Sequence, residues 1–328
     1  MPIEREITEP VQLCSPRGRV NPAAVGWTRQ PLHDADVPGW GRRKRWEYWA
    51  VQSPDCVLAV TVSDLDYAHL SAVYFLDPHG NELAQTALTA GRPMPLPDRP
   101  GAGTVSVTTK RLEIRLTPRA DGIRLWARTD HLEADVRITR PSDHESLGVV
   151  VPWSDQRFQY TVKENTLPAQ GHVWTQDATY DFAEDTWATW DFGRGKWPYR
   201  VTWNWGAGSG IVDGRIVGLQ FGGQWTDGTG STENAVTLDG KLHKISQDLQ
   251  WVYHPEDWLR PWLVRSADGA VQMEFRPAHV RSDVTHLGLI DNVTHQCFGT
   301  WHGRVELSDA SVTVDGLRGW AEEVRNRW

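Results

Sequence analysis

The 328-residue chain holds only three cysteines and three methionines, and no long apolar run interrupts it. Cys14, Cys56 and Cys297 are odd in number and form no Cys-x-x-Cys. This argues against a disulfide framework and against a cysteine-built zinc site. No stretch reaches the ~18 consecutive apolar residues of a bilayer-spanning helix, so no integral membrane association is expected. The opening MPIEREITEP carries acids and no apolar core, unlike a secretory signal, so the expected location is cytoplasmic. The sequon Asn292-Val293-Thr294 then has no meaning. Positive charge is also short: 34 basic against 42 acidic residues gives a net charge of −8. Nucleic acid is therefore not an expected partner. The one basic block, Arg42-Arg43-Lys44-Arg45, reads as a solvated strand entry. Catalytic signatures are missing too. His144-Glu145 is followed by Ser146-Leu147-Gly148, Gly206, Gly208 and Gly210 are misplaced for a dinucleotide loop, and Ser209 lacks the nucleophile-elbow spacing. Neither a metal nor any other cofactor is expected.

Tryptophan, by contrast, is abundant, with 19 in the chain. Trp187, Trp190, Trp197, Trp203 and Trp205 fall in one stretch, WATWDFGRGKWPYRVTWNW. An indole buries a large apolar area and still needs a partner for its N–H. Such density, interleaved with Asp191, Arg194, Lys196, Tyr199 and Asn204, suits the wall of a small-molecule cavity. The plainer reading is a tryptophan-rich β core. In the strand-like run 199–205, Val201, Trp203 and Trp205 share one face, and Thr202 and Asn204 the other. Trp46 and Tyr48 repeat the device, with Glu47 and Trp49 opposite.

Period-two alternation dominates the rest. WEYWAV (46–51), CVLAVTV (56–62), SAVYFL (71–76), RLEIRL (111–116), IRLWAR (123–128), ADVRIT (134–139) and FQYTV (158–162) read as strands, punctuated by Gly, Pro, Asp and Asn. The second half continues in the same style, with Asp239-Gly240 and Asp268-Gly269 as hairpin turns. Residues 91–103, GRPMPLPDRPGAG, read as an excursion between strands. Leu317, Trp320, Val324 and Trp328 recur at three, four and four, which predicts a short C-terminal helix. The pattern predicts an all-β chain of two antiparallel barrel halves, residues 1–160 and a tryptophan-rich 161–328.

Several segments together identify the chain as a member of a bacterial family, domain of unknown function 2804. They are Gly18-Arg19-Val20-Asn21-Pro22, GWTRQPLH (26–33), RKRWEYW (43–49), TWDFGRGKWPYRVTWNWGAGSG, GGQWTDGTGSTENAVTLDGKLHKI and the ending GWAEEVRNRW. At the level of fold the chain also resembles tandem lipocalin-like proteins, among them carotenoid hydratases of the hydroxyneurosporene synthase type and a ceramide-carrying yeast survival factor. That resemblance implies barrel halves with a cavity for an apolar ligand. It does not say whether chemistry happens there.

The expected function is binding of a lipid or isoprenoid in a barrel cavity, either as a carrier or with cofactor-free hydratase, cyclase or isomerase chemistry. The alternatives are a carbohydrate-active protein with paired carboxylates and a purely structural module. Glu233, near Trp225, and Asp191, between Trp190 and Phe192, are the candidate acids, since indoles desolvate a carboxyl and favour its neutral form. Trp190, Trp203, Trp205 and Trp225 are the expected walls. Asn204, Arg194, Trp301, His302 and Tyr48 are further candidate ligand contacts, and His295 is a candidate lining residue. The loop 224–234 alternates Asp227, Thr229, Ser231 and Glu233 but lacks calcium-loop spacing.

Overall fold

A computed structural model describes residues 4–91, 94–287 and 290–328. Well over half of them are in strands, and no α-helix occurs among the described residues. One 3-10 turn among the described residues, Pro22–Ala24, is capped by Asn21, whose side chain accepts from the Ala23 N–H. Of the proline-rich excursion, Arg92 and Pro93 lie outside the described residues.

The chain divides into two compact units. One is Ile7–Trp197; the other is Pro198–Trp328 with the N-terminal residues up to Glu6. The first unit contains β1 (Arg43–Gln52), β2 (Val57–Asp64), β3 (Ala68–Leu76), β4 (Glu82–Ala90), β5 (Val105–Thr108), β6 (Leu112–Arg119), β7 (Gly122–Thr129), β8 (Leu132–Thr139), β9 (Phe158–Thr175) and β10 (Trp187–Lys196). The second contains β11 (Arg200–Val212), β12 (Arg215–Gly223), β13 (Asn234–Leu238), β14 (Lys241–Ile245), β15 (Leu249–Val252), β16 (Trp262–Ser266), β17 (Val271–Leu287), β18 (Ile290–Glu306) and β19 (Ser311–Arg327).

Each sheet is a curled antiparallel ribbon, a lipocalin-like half with one topology. In the first the strand order is β4-β3-β2-β1-β10-β9-β8-β7-β6-β5. The second runs β14-β13-β12-β11-β19-β18-β17-β16-β15. In both, the first long strand pairs with the last. Short flanking strands complete the first unit, including the parallel pair Val11–Gln12 with His33–Asp34. The expected division at residues 160/161 falls inside β9. That strand runs on through a bulge between Glu164 and Leu167, pairing with β10 on one side and β8 on the other.

The two units repeat one another at residue level. Trp46 sits opposite Gly193, and its indole donates to Asp191, two residues back, at 2.9 Å. Trp203 sits opposite Val324, and its indole donates to Glu322, again two residues back, at 3.1 Å. Same register, same offset and same chemistry recur where first and last strands meet.

Alternation sets the faces. In the second unit Val217, Leu219 and Phe221 of β12, Val236 and Leu238 of β13, and Trp301 of β18 form the apolar core. The core side of β11 is Asn204, Gly206, Gly208 and Gly210. A Cβ on Gly206 would come within 2.6 Å of the Trp301 ring, and one on Gly208 within 2.9 Å. The glycine row therefore seats Trp301, whose indole donates to the Ala207 carbonyl at 3.1 Å.

The C-terminal helix is not formed. Residues 311–327 are strand β19, hydrogen-bonded on one side to β11 and on the other to β18. Its register shifts between Trp301 and His302, where Gly316 takes φ +86°. Val312 and Val314, then Leu317 and Ala321 beyond the bulge, face the core. Trp320 and Val324 take the other face. The three-four-four spacing thus joins residues from both faces of a bulged strand, and both faces are buried there.

The close seat of Trp301 leads to a first prediction. Gly206→Ala adds one methyl where no space exists and is expected to cost about 1–3 kcal/mol. Urea denaturation should show a lower midpoint with an unchanged slope. A midpoint equal to that of the natural protein would mean that Trp301 is loosely held.

Candidate functional site

The richest polar and aromatic cluster lies on the core-facing side of the second unit. Antiparallel register builds it as a row across four strands. Ser282 of β17 faces His295 of β18, His295 faces Glu323 of β19, and Glu323 faces Asn204 of β11. Side chains directly opposite one another across such strands lie close enough to interact. The His295 Nδ1 and Ser282 Oγ are 3.0 Å apart.

The segment between β15 and β16 folds over this row. It brings Tyr253, whose hydroxyl donates to the Glu323 carboxylate. The Gln224 amide donates to the Tyr253 oxygen at 3.2 Å and to Asn204 Oδ1 at 2.7 Å. Arg325 holds the other Glu323 oxygen at 2.6 Å. Above them the rings form a continuous aromatic surface. Tyr253 stacks on Trp262 at 4.3 Å and lies 5.8 Å from Trp258. Trp258 stacks on His295 at 4.3 Å. The Trp258 carbonyl accepts from the Trp262 indole at 3.2 Å, which ties the segment down. Asn204 and Glu323 are buried, Tyr253, Trp258 and His295 are half-buried, and Val252, Leu259 and Gln224 are exposed. The cluster thus runs from core to solvent.

Electrostatics separates the roles of the titratable groups. Burial, reinforced by the hydrogen bond to Glu323, pushes the Tyr253 hydroxyl up to about 12. Burial lowers His295, with Arg325 adding to the effect and Glu323 opposing it. His295 is therefore a neutral imidazole near neutral pH, able to take a proton. Tyr253 keeps its proton and is able to donate a hydrogen bond.

The residues expected from sequence are distributed as follows. Asn204 is part of the row. Trp203 and Trp205 lie on the opposite face of β11, because the core side is given to Asn204 and the glycines. The Trp205 indole donates to Gln220 at 2.9 Å and packs edge-on against Trp320 at 5.1 Å. Glu233 is 1% exposed, accepts from the Trp225 indole, and packs against Gly222 on the face turned away from the core. Trp301 is a core residue. His302 pairs with Asp315 at 2.6 Å and lines a surface groove of about 640 Å³ with Arg265, Gln272, Glu274 and Arg276.

Trp190, Asp191, Arg194 and Tyr48 belong to the first unit. Asp191 accepts from Trp46, from the Thr161 hydroxyl at 2.9 Å and from Lys163 at 3.1 Å. All three partners use it as an acceptor, which suits an anchor better than an acid. Tyr48 is half-buried on the same face of β1 as Trp46. Trp190 and Arg194 face the core with Glu47 and Trp49. Sequence reasoning made Trp46 and Tyr48 the wall and set Glu47 and Trp49 opposite; the structure gives the core face to Glu47 and Trp49. It also missed Tyr253, Trp258, Trp262 and Glu323. The run LQWVYHPEDWLRPW was the available signal, since it packs four aromatic rings into twelve residues.

Among the described residues no group of three or more His, Cys, Asp or Glu is arranged to hold a metal. No helix among them is long and apolar enough to cross a membrane.

The fold is similar to that of an AttH-like protein from Nitrosomonas europaea, with a TM-score of 0.50 and 11% identity, covering 86% of this chain and 92% of that one. It is also similar to kievitone hydratase from Nectria haematococca, with a TM-score of 0.52 and 8% identity, covering 87% and 88%. Among curated protein sequences none matches. At these identities the likeness is one of fold. The family model of DUF2804, a domain of unknown function, matches residues 4–328, and the chain belongs to that family.

Proposed function

We propose that the second unit binds an apolar small molecule, a lipid or isoprenoid, and moves a proton on it without a cofactor. The reaction class is hydration, cyclisation or isomerisation. One observation carries this reading. The His295 imidazole and the Glu323 carboxylate share one cross-strand row, and the Tyr253 phenol reaches Glu323 from the stacked rings that lie over it. The rings supply the apolar area that holds a ligand, and the row supplies a few convergent polar groups.

The roles follow from the chemistry. His295 takes a proton from carbon or from water. Tyr253, with its proton held to about 12, turns its one O–H from Glu323 to a ligand oxygen on which negative charge develops. Gln224 and Asn204 fix the phenol, and Glu323 orients it while Arg325 balances the carboxylate charge. This assignment moves the acid–base role from Glu233 and Asp191 to Tyr253 and His295. Glu233, Asp191 and their tryptophan partners become structural anchors. A similar fold is named a hydratase in Nectria haematococca, which fits the reaction class.

Native mass spectrometry should find an apolar molecule co-purifying with the protein. Returned to the protein in deuterated water, that molecule should take up deuterium. Tyr253→Phe is expected to slow the uptake by ~100-fold or more while the fold is kept. Trp258→Ala is expected to weaken binding by ~1–3 kcal/mol from lost burial. Bound ligand with no deuterium uptake by any variant would reduce the protein to a carrier. Unchanged binding in both variants would remove the site altogether.

The uptake rate should also depend on pH with a defined sign. Burial lowers His295 below its ordinary 6.5, so the base form persists into mild acid. The rate should therefore be flat through neutrality and fall only below pH 6.5, as His295 protonates. His295→Gln should abolish that acid limb together with the rate. A limb centred above pH 7 would point to a different base.

A further inference from the structure

The first unit carries its own buried polar cluster, at the register point that corresponds to Asn204 and Glu323 in the second. Glu47 of β1 faces Phe192 of β10, as Asn204 of β11 faces Glu323 of β19. Arg194 follows Phe192 by two residues, as Arg325 follows Glu323. Glu47 is 4% exposed and Arg194 fully buried.

The Arg194 guanidinium is nearly saturated by backbone. It donates to the Trp46 carbonyl at 2.7 Å, to the Gly193 carbonyl at 2.8 Å and to the Pro97 carbonyl at 3.0 and 2.7 Å. Its contact with Glu47 is the longest it makes, 3.5 Å. The carboxyl is thus only loosely claimed. Burial raises Glu47 despite Arg194, and burial lowers Arg194 to about 10 despite Glu47. The pair is one whose desolvation outweighs its attraction, so it contributes little to stability.

Beside this carboxyl stand two indoles. Trp49 and Trp190 stack face to face, 4.9 Å apart and 11° from parallel. Their N–H groups are turned toward Glu47 and ease its charge. Both are buried, and the Glu47 carboxyl they face meets neither at full hydrogen-bond geometry. A buried donor left in that state costs about 1–3 kcal/mol, so two side by side are unusual in a core that serves packing alone. Val60 faces Trp49, and Val62 and Phe192 face Glu47 from either side, all of them in the apolar core.

We propose that the first unit is a second binding site, for an apolar molecule that carries a carbonyl oxygen. The oxygen accepts from the Trp49 and Trp190 indoles, a carbonyl having two lone pairs for two donors. The hydrocarbon part lies against Phe192 and the valines. The proline-rich excursion is tied down beside the site, since Arg194 holds the Pro97 carbonyl and Arg45 holds the Met94 carbonyl at 2.8 Å. This site is independent of the acid–base row in the second unit.

The test uses the whole protein with 15N-labelled tryptophan side chains and two probes, 2-decanone and decane. The Trp49 and Trp190 indole resonances are assigned from Trp49→Phe and Trp190→Phe. With 2-decanone both resonances are expected to shift along one saturation curve, and each single variant should weaken binding about tenfold, the worth of one hydrogen bond. Decane should leave them in place. A crystal of the natural protein soaked with a brominated 2-decanone gives the same answer without variants, the carbonyl oxygen lying between the two indoles. The proposal is overturned if the ketone and the alkane act alike, or if the soaked crystal shows no ketone beside the two indoles.

Discussion

In each unit the antiparallel pairing of the first long strand with the last sets the chemistry of the interior. β1 with β10 and β11 with β19 bring together segments far apart in sequence, and each junction is fixed by ten or nine consecutive residue pairs. A slip of one residue would turn every side chain to the other face. The indole–carboxylate bridges, Trp46 to Asp191 and Trp203 to Glu322, act as pins against such a slip. They leave the core-facing positions between them, Glu47 in one unit and Asn204 with Glu323 in the other, free to differ. One scaffold thereby holds two interiors of different polarity.

The polar groups inside these sheets are expensive to keep. A buried carboxyl or phenol must find partners or lose its charge. In the second unit the problem is solved by convergence, with Tyr253, Arg325, Asn204 and Gln224 all ordered by or around Glu323. The first unit solves it less completely, with Glu47 meeting a guanidinium that is already committed to backbone carbonyls. Interiors built only for stability usually replace such groups by apolar ones of similar volume. Their presence at corresponding register points in both units is the physical basis for reading both as binding interiors.

Much of the fold was legible in the sequence. Alternation located β1 to β3 and β6 to β8 to within three residues, most clearly in β6 to β8, where one face is buried and the other more open. The C-terminal strand was not legible, since β19 is buried on both faces and shifts phase at Gly316. Alternation is lost there, and Leu317, Trp320 and Val324 imitate a helical stripe. The site was legible only in part. Asn204 and His295 stood out by their neighbours, but their row depends on strand register, which no local pattern reveals. Tyr253 and Glu323 lie seventy residues apart and meet only because the segment before β16 folds back over β19. The tryptophans that drew attention, Trp203 and Trp205, turned out to occupy the face away from the core, because the glycines beside them had to seat Trp301.

The central claim is that the row formed by Ser282, His295, Glu323 and Asn204 is where a small molecule meets the protein. A crystal structure of the protein isolated with its native ligand tests this most directly. The account predicts ligand density against Trp258 and Tyr253, with a polar atom within hydrogen-bond distance of His295 or of the Tyr253 hydroxyl. A ligand bound without touching any of these residues, with Trp258 still closed on His295, would contradict it.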